Sequence, residues 1–151
     1  MSRYLLIGSG VAAIAAAETL RERDANSEIL LLGEDQHGYY SRPGLAYLLT
    51  GELDETQLFP FQKKDFQRLG AAILHESAAQ ILAPEHQVIT HTGRRLSYDR
   101  LLIAVGARAN PLSIPGSQAD NVFKLDDLED AKRLLKASRS GRTAVVTGGG
   151  I

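Results

Sequence analysis

Short apolar runs separated by polar stretches of helical length set the plan of this chain. Residues 4–7 form the first run, Tyr-Leu-Leu-Ile, and residues 29–32 the second, Ile-Leu-Leu-Leu. Runs this short and this uniformly apolar fit strands buried on both faces of a parallel sheet. The segment between them, residues 11–23, is rich in alanine. Ala12, Ala13, Ala16, Ala17 and Leu20 fall on one face at 3.6-residue spacing, with Glu18, Arg21 and Glu22 outside, which predicts a helix. Residues 24–27, Asp-Ala-Asn-Ser, read as a polar turn. The opening of the chain is therefore strand, helix, strand.

The pattern then changes twice. Residues 35–44 are a polar, aromatic loop, Asp-Gln-His-Gly-Tyr-Tyr-Ser-Arg-Pro-Gly. Pro43 can open a helix at its first turn, predicted over residues 45–49. In a doubly wound sheet this loop leaves the carboxyl end of a strand, where ligands bind. Its tyrosines fit either a planar ligand or the loop's own packing. Residues 62–69 have amphipathic helical spacing, with Gly70 as the stop. Residues 71–74 read as a strand. Residues 79–82, 87–91 and 95–97 are short extended pieces punctuated by Pro84 and Gly93, a β-meander. His86 and His91 lie there without a third ligand at a fitting spacing, so no metal site is expected. Residues 101–105 return to the core as a buried strand. Residues 110–116 cross with two prolines. Residues 126–139 predict a charged helix with Leu125, Leu128, Ala131, Leu134 and Leu135 as its apolar stripe. Residues 143–147 repeat the opening apolar run, ahead of a second glycine turn.

Chemistry concentrates in the first turn. Gly8-Ser9-Gly10-Val11-Ala12-Ala13 has the form G-x-G-x-x-A. Gly8 lets the chain turn out of the strand, Gly10 lets a diphosphate approach the backbone, and Ala13 lets the helix pack close to the sheet. The helix N-terminus offers free N–H groups and a partial positive charge to that diphosphate. Glu34 follows the second strand at the spacing expected of a carboxylate that binds a ribose diol. The pattern predicts a dinucleotide site; glycines that serve only helix–sheet packing are the plainer alternative. Gly148 and Gly150 give the first half of a second such turn. A first strand of that kind implies a following helix, so the chain is expected to be the N-terminal part of a longer protein.

Composition narrows the field without redirecting it. The chain has 151 residues, 44% hydrophobic and 23% charged, with a net charge of −1. That is ordinary for a globular domain and offers nothing to nucleic acid or an anionic membrane. No apolar run approaches the length of a membrane span. The N-terminus enters a strand directly, so no signal peptide is expected. There is no cysteine, which excludes a dithiol or a thiolate metal site within these residues and fits a cytoplasmic protein.

Taken together, the G-x-G-x-x-A turn leading to Glu34, the Tyr40-Ser41-Arg42-Pro43 loop, Tyr98-Asp99 before a strand ending Ala104-Val105-Gly106-Ala107, and the second glycine turn resemble the FAD- and NAD-dependent pyridine nucleotide–disulfide oxidoreductases. The resemblance covers nearly the whole chain and is strongest to cysteine-free branches such as the rubredoxin and ferredoxin reductases, NADH oxidases and nitrite reductases. It implies an α/β, Rossmann-like FAD/NAD(P)-binding fold with a parallel sheet plus a small β-meander. It implies an FAD-binding domain over 1–115, completed beyond residue 151. Residues 116–151 would be a connecting helix and the first strand of a truncated NAD-binding domain. Gly8, Gly10 and Ala13 would hold the FAD diphosphate and Glu34 the adenosine ribose. Arg42 and Pro43 would lie by the diphosphate and flavin, and Ala79 by the adenine. Ala104, Val105 and Gly106 would close over the cofactor, with Val105 where the family usually has threonine. Gly148 and Gly150 would begin the NAD(P)H site. The family's cysteine pair and its lysine after Arg-Pro are both absent from residues 42–47.

The expected function is the FAD-binding part of a flavin oxidoreductase that takes a hydride from NAD(P)H and passes electrons to a redox protein or small acceptor. No general base or nucleophile is called for, because the chemistry belongs to the cofactors. Residues 1–151 alone are expected to retain FAD weakly and to be inactive. A homodimer is compatible with the sequence. The alternatives are a single-Rossmann NAD-dependent dehydrogenase, against which the meander and second glycine turn argue, and a non-catalytic nucleotide-binding module.

Overall fold

The computed structural model describes residues 1–141 and 143–148. It forms two compact units that interleave along the chain: Met1–Ser41 with Phe59–Ala107, and Arg42–Leu58 with Arg108–Ile151.

The first unit is built on a parallel sheet. Its strands are β1 (Arg3–Ile7), β2 (Glu28–Leu32), β3 (Ala71–Leu74) and β7 (Arg100–Ile103), in the order β3-β2-β1-β7. Ile7 pairs with both Leu32 and Ile103, and Leu32 with Leu74, so all four carboxyl ends finish level. The apolar runs divide by parity. Leu6, Ile29 and Leu31 face helices α1 (Val11–Arg23) and α3 (Lys63–Leu69), through Ala13, Ile14, Ala17 and Leu69. Leu5, Ile7 and Leu32 face the other way, toward Val88 and Tyr98. That side is covered by an antiparallel meander, β4 (Ala78–Leu82), β5 (Gln87–Thr90) and β6 (Arg95–Ser97). A sheet clothed on both faces is what uninterrupted apolar strands require.

Two expectations for this unit need correction. The buried face of α1 is Ala13, Ile14 and Ala17, whereas Ala12 is exposed. Ile14 brings more apolar area than Ala12, so burying it sets the helix's rotation. The strand expected over 101–105 is shorter and is not buried. β7 is the outer strand of the described sheet, and Leu102, Ile103 and Val105 are 39%, 57% and 65% exposed.

The second unit contains α2 (Gly44–Thr50), a 3-10 turn (Glu55–Leu58) and α4 (Leu128–Ser138). Helix α2 packs against both others, and Leu45, Leu58, Leu128 and Ala131 are buried. An ion pair of 2.8 Å joins Lys132 on α4 to Glu55 in the turn. Leu125, expected in the apolar stripe, lies ahead of α4 and is 44% exposed. Residues 143–148 form no strand, and Val145 and Val146 are both 86% exposed. A strand needs a ladder partner for its N–H and C=O groups, and these residues have none in the described sheets. No helix among the described residues is long and apolar enough to cross a membrane.

Candidate functional site

The level carboxyl edge of the parallel sheet gathers most of the predicted residues. Gly8 leaves β1 with φ +124°, a conformation that side chains rarely adopt. Its N–H donates to Leu32 O at 2.7 Å. A Cβ there would stand 2.2 Å from the Ala104 carbonyl oxygen. Ala104 in turn donates its N–H to Ile7 O at 2.7 Å. The glycine at position 8 therefore lets β1 and the end of β7 meet without a gap.

Gly10 has a different job. It is the N-cap residue of α1, with ordinary φ −83° and no side-chain cap bond. A Cβ on it would meet nothing within 4 Å, so neither backbone strain nor protein packing demands glycine here. What glycine provides is a bare backbone facing open space at the start of a 13-residue helix. Arg21 and Arg23 lie in that helix's last turn. The free N–H groups and positive end of the helix are thus presented to whatever occupies that space. Ala13, fully buried, seats the first turn of α1 on the sheet.

The tip of β2 closes against the same loop. A Cβ on Gly33 would lie 2.6 Å from Ser9 Oγ, and Gly33 donates its N–H to Leu74 O at 3.1 Å. Gly33 was marked in the sequence only by its position between an apolar run and an acid. Glu34 follows, exposed at the strand's tip. Past Ala104, Val105 is largely exposed and Gly106 turns at φ +68°.

The remaining predicted residues lie elsewhere. Ala79 is in the meander, exposed, where the β4–β5 register shifts between Ala78 and Gln80. Arg42 and Pro43 belong to the second unit. Pro43 is the N-cap of α2, and the Arg42 guanidinium donates to Asp126 O at 3.3 Å. Gly148 turns at φ +95°. Gly150 lies outside the described residues. The tyrosines of the 35–44 loop are taken up in packing. Tyr40 is buried, with His37 at an edge-on 6.4 Å and Phe59 at 6.1 Å, and Tyr39 meets Phe61 at 5.8 Å.

A nucleotide diphosphate suits this edge: an uncapped helix end, an open backbone at Gly10, and a carboxylate at the neighbouring strand's tip. The family model for pyridine nucleotide-disulphide oxidoreductases matches residues 2–151. The chain belongs to this family. Among similar proteins is the ferredoxin–NAD(+) reductase component of the 3-phenylpropionate/cinnamic acid dioxygenase of Photorhabdus laumondii, 32% identical over 98% of this chain and 38% of the relative. Human apoptosis-inducing factor 3 is 35% identical over 99% of this chain and 24% of its own length. The chain therefore spans well under half of these relatives. Among solved structures, the putidaredoxin reductase–putidaredoxin complex superposes with TM-score 0.83 at 28% identity, over 90% of this chain and 34% of that one. A ferredoxin reductase from Rhodopseudomonas palustris gives 0.84 at 26%, over 92% and 35%. This chain's fold, a parallel sheet with a separate antiparallel sheet, is shared with these two solved structures.

Proposed function

We propose that this chain is the FAD-binding part of a longer flavoprotein that oxidises NAD(P)H and delivers electrons to a redox protein. The observation that carries the reading is Gly10: a glycine that the fold itself does not need, at the open N-terminus of α1, beside Glu34's strand tip. The Val11, Ala12 and Ala13 N–H groups at that helix end are suited to the diphosphate, and Glu34 to the adenosine ribose hydroxyls. Ala104, Val105 and Gly106 border the same edge. Arg42 and Pro43 are proposed as further contacts to the diphosphate and flavin, and Ala79 as a contact to adenine. FAD held by these residues would supply hydride acceptance from a nicotinamide and onward electron transfer. These residues bind and orient the cofactor; none is asked to move a proton.

The division into residues 1–115 for FAD and 116–151 leading into an NAD(P)H part, begun by Gly148 and Gly150, belongs to the same proposal. So does a ferredoxin-type acceptor, for which the ferredoxin reductases among the relatives speak. A homodimer and a cytoplasmic location, where NAD(P)H is supplied, complete it. The test is the absorption spectrum of the purified full-length protein. Stoichiometric flavin supports the reading. A colourless protein that binds NADH and takes up no added FAD would leave the single-Rossmann dehydrogenase in its place.

A further inference from the structure

The end of β3 reaches across to the loop that carries Glu34. Strands β2 and β3 stay in register to their tips, with Leu32 beside Leu74, and the residues beyond continue the contact. Gly33 donates its N–H to Leu74 O at 3.1 Å. One residue further along, the His75 ring nitrogen Nδ1 lies 3.0 Å from Asp35 O. A carbonyl oxygen only accepts, so Nδ1 carries the proton and donates it. Glu34 stands between these two bonds: the main chain before it is tied to Leu74 and the main chain after it to His75. All of these residues belong to the first unit.

The loop is also bonded from within. The Gln36 amide nitrogen donates to Glu34 O at 3.3 Å, and Asp35 Oδ1 accepts the His37 N–H at 2.9 Å. Asp35 O accepts the Gly38 N–H at 3.2 Å as well. Those bonds join near neighbours and shape the loop; the His75 bond spans 40 residues and ties the loop to the sheet. His75 is exposed, and Asp35 O would keep the Gly38 N–H without it, so no buried acceptor is orphaned when the ring is removed. Folding thus has little need of the His75 bond, whereas a binding edge has more. Glu34 adjoins Gly33, whose added Cβ would lie 2.6 Å from Ser9 Oγ, and Ser9 adjoins the open backbone of Gly10. A carboxylate on a loosely held loop would lose main-chain and rotamer freedom on taking up a ligand there, and that loss subtracts from affinity.

We infer that His75 is a positioning residue for Glu34: by donating from Nδ1 to the Asp35 carbonyl, it fixes the main chain that presents the carboxylate to the ribose hydroxyls of FAD. The inference rests on the proposed role of Glu34.

The test is a flavin-fluorescence titration of the full-length apoprotein with FAD, with Tm measured alongside. It compares the parent with Glu34→Ala, His75→Ala, His75→Asn, His75→Gln and the Glu34→Ala/His75→Ala double variant. His75→Ala is expected to raise Kd about threefold to tenfold, the loss typical of one hydrogen bond, with Tm near the parent's. His75→Asn places an amide nitrogen where Nδ1 stood and should stay within about twofold of the parent. In the Glu34→Ala background His75→Ala should add nothing, because the group it positions is gone. An equal loss with and without Glu34 would mean that the ring touches the ligand itself, and it overturns the inference. Rescue by His75→Gln, whose nitrogen stands where Nε2 was, and not by His75→Asn overturns it in the same way. If Glu34→Ala weakens binding and His75→Ala does not, the positioning role falls and the ribose role of Glu34 stands. If Glu34→Ala leaves Kd unchanged, the ribose role falls and the positioning role falls with it.

Discussion

Replacing Gly8 with alanine and, separately, Gly10 with alanine separates the two jobs of the glycine turn. At Gly8 the new Cβ would lie 2.2 Å from Ala104 O and 2.7 Å from Ala104 C, both backbone atoms that no rotamer change can move. The backbone is also at φ +124°. Strain of that kind costs about 1–3 kcal/mol, and overpacking a closed contact costs about 1–3 kcal/mol more. The sum, roughly 2–6 kcal/mol, is a large share of the ~5–15 kcal/mol that holds a typical domain together. At a urea slope near ~2 kcal/mol/M it moves the unfolding midpoint down by about 1–3 M. At Gly10 the Cβ meets nothing and φ is ordinary, so the only expected cost is alanine's poorer fit as an N-cap, about 1 kcal/mol or less. FAD affinity should nevertheless fall about tenfold to a hundredfold, as a charged hydrogen bond to the diphosphate worth ~1.5–3 kcal/mol is pushed away. Urea denaturation and FAD titration on the two variants read both numbers. An unchanged midpoint for Gly8→Ala, or parental FAD affinity for Gly10→Ala, would refute this division of labour.

Three further outcomes are expected. Glu34→Ala should weaken FAD binding by about 1.5–3 kcal/mol through loss of a charged acceptor for the ribose hydroxyls; unchanged titration would make Glu34 a surface residue. Arg21→Ala should destabilise the fold by about 1–3 kcal/mol, because its guanidinium donates to Leu69 O, Ala25 O and Gly70 O at 2.7, 2.7 and 3.1 Å, tying α1 to the α3–β3 corner. An unshifted denaturation midpoint speaks against it. Asp99 accepts the Arg3 N–H at 2.7 Å and, more weakly, the Arg3 guanidinium at 3.3 Å, which hold its carboxyl below the usual aspartate range. A depressed folded value means its contribution is present above the unfolded value, about 3.9, and is lost as pH falls through the folded one. Asp99→Asn should therefore flatten the acid limb of stability against pH, and an unaltered limb would show that Asp99 contributes nothing there.

The elements that announced themselves were those in which local pattern and burial agree. The runs at 4–7 and 29–32 are strands because both faces of each are covered, by helices on one side and the meander on the other. Gly70 ends α3 as its spacing implied. What was not legible depended on neighbours that the sequence does not display. The apolar residues 101–105 read as buried, but strand order places β7 outermost. The 143–147 run has strand composition and no described strand beside it. The 3-10 turn at Glu55–Leu58 has no periodic signature, and only Leu58's complete burial explains it. In the candidate site, the glycine motif and the acidic tip were readable because the proposed ligand groups, a diphosphate and a ribose, would dictate that spacing. Gly33's close approach to Ser9 joins residues distant along the chain and becomes visible only in three dimensions.

We propose that this edge of the sheet holds FAD in service of NAD(P)H oxidation. The most direct test is anaerobic addition of NADH to the purified full-length protein, with the flavin absorbance band followed, and then addition of an oxidised ferredoxin-type protein. A band stoichiometric with protein should bleach on NADH and return as the acceptor is reduced. A flavin that is present but untouched by NADH or NADPH, or a protein that takes up no FAD at saturating concentration, would contradict the proposal.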